Sequence, residues 1–155
     1  MNKIKQVIEA IEANTQEYIV IAIDGRCASG KTTLANKLAQ HFHANVFHMD
    51  DYFLRKEQRT KERLSEIGGN VDRERFIEEV ASKLHSDTDI VFAPFDCKTM
   101  ALEEKRTVKQ THVTIIEGSY AMHPLLRKYY DYMIYLTIDP QTQQNRIYER
   151  NPEKY

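Results

Sequence analysis

The segment Gly25-Arg-Cys-Ala-Ser-Gly30-Lys31-Thr32 carries two glycines, a lysine and a hydroxyl residue at the spacing G-x-x-x-x-G-K-[ST]. Each residue type has a physical task. Gly25 and Gly30 allow backbone angles and a close approach that a Cβ would block. The amides of Arg26, Cys27, Ala28 and Ser29, with the helix start after them, then point at an anion. Lys31 brings a mobile positive charge to the outer phosphates and Thr32 a hydroxyl for Mg²⁺. The run from Gly25 to Thr33 is expected to hold the phosphates of ATP or GTP. A glycine-rich helix cap that binds nothing is the bland alternative.

Carboxylates stand where other strands should end, and ligands of open α/β sheets bind at the carboxyl ends of strands. Glu117 follows Val113-Thr-Ile-Ile116 and is a candidate for holding Mg²⁺, or a polar residue that ends a strand. Asp50-Asp51 follows Val46–Met49; one of them is placed to accept a hydroxyl proton while touching the metal shell, or the pair caps a turn. His41, His43 and His48 find no Cys or carboxylate at a zinc-binding spacing.

The elements that must position these groups read as alternating strands and helices. Ile4, Val7, Ile8 and Ile11 share one helical face. Tyr18–Ile23 is a β-branched run of the kind buried on both faces of a parallel sheet. Leu34, Ala35, Leu38, Ala39 and Phe42 mark a helix over 31–42. Strands are expected near 46–49, 88–92, 113–116 and 132–138. Helices are expected from Asp72 with Phe76, Ile77, Val80, Ala81 and Leu84 inward, over 123–130, and over 139–150. The pattern predicts an α/β protein whose mainly parallel sheet has helices on both faces, joined by right-handed crossovers.

Composition bounds the partners. The 155 residues suit a single domain, and 41% hydrophobic content supplies a core. Lys and Arg number 22 against 23 Asp and Glu, which argues against a dedicated nucleic-acid module and a polybasic membrane anchor. No apolar run is long enough to span a bilayer, and no signal peptide is visible. Cys27 and Cys97 form no CxxC pair, which fits a reducing cytoplasm. Between Arg55 and Arg63 lie five basic and two acidic residues, a local +3 that is a solvated arm or an attractor of anionic acceptors.

The chain resembles the P-loop kinases of the uridine kinase and phosphoribulokinase group. The likeness rests on Gly25 to Thr33, His48-Met-Asp50-Asp-Tyr52-Phe53, Asn70-Val-Asp72, Pro94-Phe95-Asp96 and Ile116-Glu117-Gly118. It implies a three-layer P-loop kinase domain over 1–155, with an acceptor-side segment near 54–106 and a lid helix near 140–150. It implies Mg²⁺-dependent transfer of a phosphoryl group from ATP or GTP to the 5′-hydroxyl of uridine or cytidine. Asp50 then matches the catalytic aspartate, Tyr52 an acceptor-side aromatic, Asp72 a residue that binds ribose hydroxyls, and Glu117 the metal-shell glutamate. Asp72 equally suits a helix N-cap. Arg146 and Arg150, four apart on one helical face, match lid arginines that stabilise the transferring group, or else form a solvated face.

The departures shape the expectation. Uridine kinases carry a tyrosine before the matched Asp96 and a histidine four residues after it. Phe95 and Met100 stand here, able to line an acceptor but not to repeat those hydrogen bonds. The resemblance also makes the chain short by about a helix and a strand. The expected partner is a small-molecule acceptor, with homo-oligomer formation left open. A pantothenate-like or sugar-phosphate alcohol is the alternative acceptor. A nucleotide switch without an acceptor is the rival class, and it lacks the guanine-reading Asn-Lys-x-Asp.

Overall fold

The computed structural model describes residues 2–137 and Gln141. Four parallel strands form the central sheet in the order β2-β7-β1-β8: β1 (Ile19–Gly25), β2 (Asn45–His48), β7 (Val113–Glu117) and β8 (Tyr132–Leu136). β1 is buried along its whole length because both faces are covered. Ile19, Ile21 and Ile23 point to one side, where α1 (Asn2–Ala13) and α2 (Lys31–Phe42) bring Ile11, Leu34, Ala35 and Leu38. Val20 and Ala22 point to the other, against Phe47, Met49, Tyr52, Phe76 and Val80. Burying each large side chain contributes about 1.5–3 kcal/mol, so alternation along one strand fastens both layers. The expected three-layer α/β fold with a mainly parallel sheet is therefore present.

The layer beyond Met49 is built from short pieces. A 3-10 turn spans Met49–Tyr52, followed by α3 (Lys61–Leu64) and α4 (Arg73–Glu79). Two small antiparallel ribbons follow. β3 (Ile90–Phe92) pairs with β6 (Arg106–Val108), and β4 (Phe95–Asp96) with β5 (Ala101–Leu102). The strand expected at 88–92 thus stands outside the main sheet.

Two helical expectations are corrected. α4 stops at Glu79, and Ala81–Lys83 is a separate 3-10 turn. The segment 123–130 holds turns and only a 3-10 turn at Arg127–Tyr129. Its approach is committed elsewhere: Tyr120 has a positive φ, and the amides of Tyr120 and Met122 donate to the Asp24 carboxylate. The helix expected over 139–150, with Arg146 and Arg150, lies outside the described residues apart from Gln141.

Candidate active site

The glycine-bounded segment leaves β1 and enters α2, as its spacing requires. Gly30 sits at the N-cap with φ +97°, and a Cβ there would meet nothing within 4 Å, so the backbone faces open space. Gly25 is crowded instead: a Cβ would come within 2.5 Å of the Leu136 carbonyl and 2.7 Å of Ser29 Oγ. Lys31 Nζ donates to the carbonyls of Gly25 and Arg26, each at 3.0 Å, which folds the ammonium over the start of the loop. Ser29 Oγ is buried and has no hydrogen-bond partner among the described residues. An open cradle beside Gly30, a buried hydroxyl to satisfy and a loop-bound ammonium together fit a polyphosphate.

Strand order brings the carboxylates to the same edge. β7 lies between β1 and β2, so Glu117, the turn after β2 and the loop after β1 share the carboxyl end of adjacent strands. Glu117 is buried, and the parallel register sets it beside His48. His48 Nδ1 and Glu117 Oε1 are 2.5 Å apart. That hydrogen bond to Glu117 holds the His48 imidazolium pKa above its ordinary value, against the opposing effect of burial. Asp50 is exposed on the 3-10 turn, whereas Asp51 is half-buried and its carboxyl is pushed upward chiefly by desolvation. Asp50 is thus the accessible member of the pair. Thr32, Asp50 and Glu117 are all hard oxygen donors, which suits Mg²⁺ and its retained waters.

Acceptor-side residues are placed less openly than their sequence positions suggest. Tyr52 is fully buried and donates its hydroxyl to Glu79 Oε1 at 3.1 Å. Burial and the neighbouring Glu79 carboxylate push its phenol well above the usual tyrosine range. Asp72 is 2% exposed and caps α4: its Oδ1 accepts from the Arg75 amide at 3.1 Å and its Oδ2 from Gln58 Nε2 at 3.1 Å. Phe95 is buried in β4, and Met100 turns the β4–β5 hairpin with φ +58°. β4 and α4 both pack against the Met49–Tyr52 turn. Beside Asp72, Arg55 and Ala93 lies a cleft of about 490 Å³.

Three functional-looking groups escape a reading of the sequence alone. Asp24 ends β1 and takes hydrogen bonds from the amides of Gly25, Tyr120 and Met122 at 2.6, 3.2 and 2.9 Å. Its position directly before the first loop glycine was the available signal. The His48–Glu117 contact follows from strand adjacency, which spacing alone does not supply. Arg75 is a buried cation beside Phe76, three residues after Asp72. The charged arm is also more than a solvated face. Arg63 donates to the carbonyls of Gly69 and Val71 and pairs with Glu74.

These features define the P-loop kinase fold. Among solved structures, one described as a possible uridine kinase from Bacillus stearothermophilus superposes with a TM-score of 0.74 at 26% identity. The match covers 99% of this chain and 90% of that one. The YGR205w protein (TM-score 0.51, 18% identity) and D-glycerate 3-kinase from Cryptococcus neoformans (0.52, 19%) share the fold. Those matches cover 75% and 76% of this chain but only 50% and 52% of theirs. The likeness to the uridine kinase and phosphoribulokinase group therefore extends to three dimensions. No protein-family model matches the chain, and no match was found among curated proteins. Among the described residues, no helix is long and apolar enough to cross a membrane.

Proposed function

We propose that the protein transfers a phosphoryl group from ATP or GTP to a hydroxyl of a small molecule. The observation that carries this reading is the shared carboxyl edge of β1, β7 and β2, where a phosphate loop, a buried glutamate and an exposed aspartate meet. Amides from Gly25 to Thr33 and Lys31 hold the donor phosphates. Thr32, Asp50 and Glu117 would hold Mg²⁺, which when bound would supply positive charge to offset the charge that develops on the phosphates. Asp50 accepts the proton of the attacking hydroxyl. Arg146 and Arg150 are assigned the lid role that the resemblance implies. Most of the rate then comes from positioning and charge stabilisation. The site lies within the chain itself, and the cytoplasm is its proposed setting.

The acceptor proposed first is a nucleoside, uridine or cytidine at the 5′-hydroxyl, supported by the possible uridine kinase among the structural neighbours. One specific observation favours a second reading, a smaller alcohol. Asp72 is 2% exposed, with one oxygen capping α4 and the other accepting from Gln58, so a ribose diol would reach it only if the side chains covering it moved. A panel of nucleosides, glycerate, pantothenate and sugar phosphates, with ADP release and phosphorylated product both measured, separates them. Product from uridine or cytidine alone supports the first acceptor; product from a small alcohol alone supports the second. ADP release at one rate with every acceptor and with none refutes the transferase reading.

A further inference from the structure

Arg75 sits where three separated stretches of the chain meet. Its side chain is 8% exposed, and its guanidinium lies 4.3 Å from the centre of the Tyr52 ring. Nη2 donates to the Asp51 carbonyl at 2.9 Å, within the turn that presents Asp50. Nη1 donates to the Ala93 carbonyl at 2.5 Å, two residues before Phe95 in β4. Nη1 also reaches the Glu79 carboxylate at 3.3 and 3.4 Å, and Nε lies 3.5 Å from Asp72 Oδ2. Glu79 Oε1 accepts from the Tyr52 hydroxyl and the Ala93 amide, both at 3.1 Å, so it draws in the same two walls.

A buried guanidinium of this kind has to be justified, since its desolvation costs several kcal/mol and an apolar residue of similar volume is often no worse for stability. Asp72 and Glu79 on its own helix supply carboxylate partners, but a cation serving those two alone would not need to reach the Asp51 and Ala93 carbonyls as well. What the planar fork supplies is direction. Its two terminal nitrogens point at carbonyls on different walls while its face stacks on an aromatic ring. A lysine ammonium, a single point charge, cannot reproduce all of these at once.

We infer that Arg75 is a positioning residue that locks the Asp50 turn to Ala93, in the wall of the cleft beside Asp72, and so fixes the distance between proton acceptor and acceptor molecule. The inference rests on the phosphotransferase reading for its consequence in catalysis, but the lock itself is a property of the fold. Arg75 touches no reacting atom. Its loss acts through Asp51, Tyr52 and Ala93.

The test is Arg75→Lys, with Glu79→Gln as the second variant that perturbs the same lock should the first not fold. Hydrogen exchange is read by segment, alongside kinetics per folded molecule. The expected result is faster amide exchange in both 50–54 and 92–96, by about tenfold, with β1 and β7 unchanged. kcat falls roughly 10- to 100-fold while KM for ATP stays within about twofold, because only the acceptor geometry loosens. Unchanged exchange in either segment overturns the inference. So does a lowered melting temperature with kcat within about twofold of wild type, which is what a merely structural arginine would give. A wild-type protein inert toward every acceptor sinks the phosphotransferase reading instead, and the exchange pattern then decides the lock alone.

Discussion

Gly118 follows Glu117 directly and has φ +138°, an angle that side chains with a Cβ rarely adopt. A Cβ there would lie 2.7 Å from Met49 Cβ and 3.2 Å from both Met49 Cγ and the Met49 amide nitrogen. Met49 is 1% exposed and its Cβ is fixed to the backbone, so no rotamer change relieves the overlap. In Gly118→Ala the backbone angle costs about 1–3 kcal/mol and the overpacking another 1–3, or about 2–6 in total. Gly30→Ala is the control. Its φ is +97° but a Cβ meets nothing within 4 Å, so only the backbone term of about 1–3 kcal/mol remains. Urea unfolding with constant m should therefore rank Gly118→Ala below Gly30→Ala below wild type. The displacement also has a direction. Pushing Met49 moves the turn that carries Asp50, so the folded fraction of Gly118→Ala should lose roughly 100-fold in kcat. Equal unfolding midpoints for the two alanine variants would refute the overlap argument. Normal turnover in a destabilised Gly118→Ala would refute the link from Met49 to Asp50.

Asp50→Asn should lower turnover by about 10²- to 10⁴-fold while leaving ATP affinity nearly intact, as measured by calorimetry; near-normal turnover removes Asp50 as the proton acceptor. Asp24→Ala leaves the amides of Gly25, Tyr120 and Met122 without their acceptor. Only the Gly25 amide is buried and the other two are part-buried, so the loss should be about 1–3 kcal/mol in denaturant unfolding. Arg63 holds the Glu74 carboxyl at about 2, down from 4.5. Because the folded pKa is the lower one, this contribution is complete above about pH 4.5 and fades as pH falls toward 2. Glu74 is largely exposed, so solvent screening limits it to about 1 kcal/mol. Glu74→Gln should thus be about 1 kcal/mol less stable than wild type at pH 7 and equal to it near pH 2.

How much of this was legible in the sequence depends on whether the cause is local. The loop from Gly25 to Thr33 was readable because its requirements are local: glycines at fixed offsets between a β-branched run and a helix of apolar period. β1, α2 and β7 were legible for the same reason. Ile19 to Ile23 are buried on both faces and Leu34, Ala35 and Leu38 on one, and each pattern is written in consecutive residues. The failures are nonlocal. The segment 123–130 has helical composition, but the turns leading into it are set by Asp24, about a hundred residues upstream. The strand at 90–92 has strand composition, but its partner is Arg106–Val108 rather than the parallel sheet. Tyr52 and Asp72 stand at positions that suggest contact with an acceptor. Yet Glu79 and Gln58, from other stretches of the chain, claim their polar atoms, while the Arg75 amide takes the other Asp72 oxygen as the local helix cap.

That last point bears on mechanism as well as on prediction. Four stretches that carry the family likeness, around Asp50, Asp72, Phe95 and Glu117, are joined by polar contacts that the spacing within each motif does not specify. His48 meets Glu117, Glu79 meets Tyr52 and Ala93, and Arg75 meets Asp51 and Ala93. A motif specifies which groups act, whereas these contacts specify how far apart they stand. Rate in phosphoryl transfer comes mainly from that placement, where a misplacement of about 1 Å costs on the order of 100-fold. Acceptor choice should then be altered more readily through Gln58, Arg75 and Glu79 than through Phe95 and Met100. The first three set the cleft beside Asp72, while Phe95 is sealed in β4 and Met100 serves a hairpin turn.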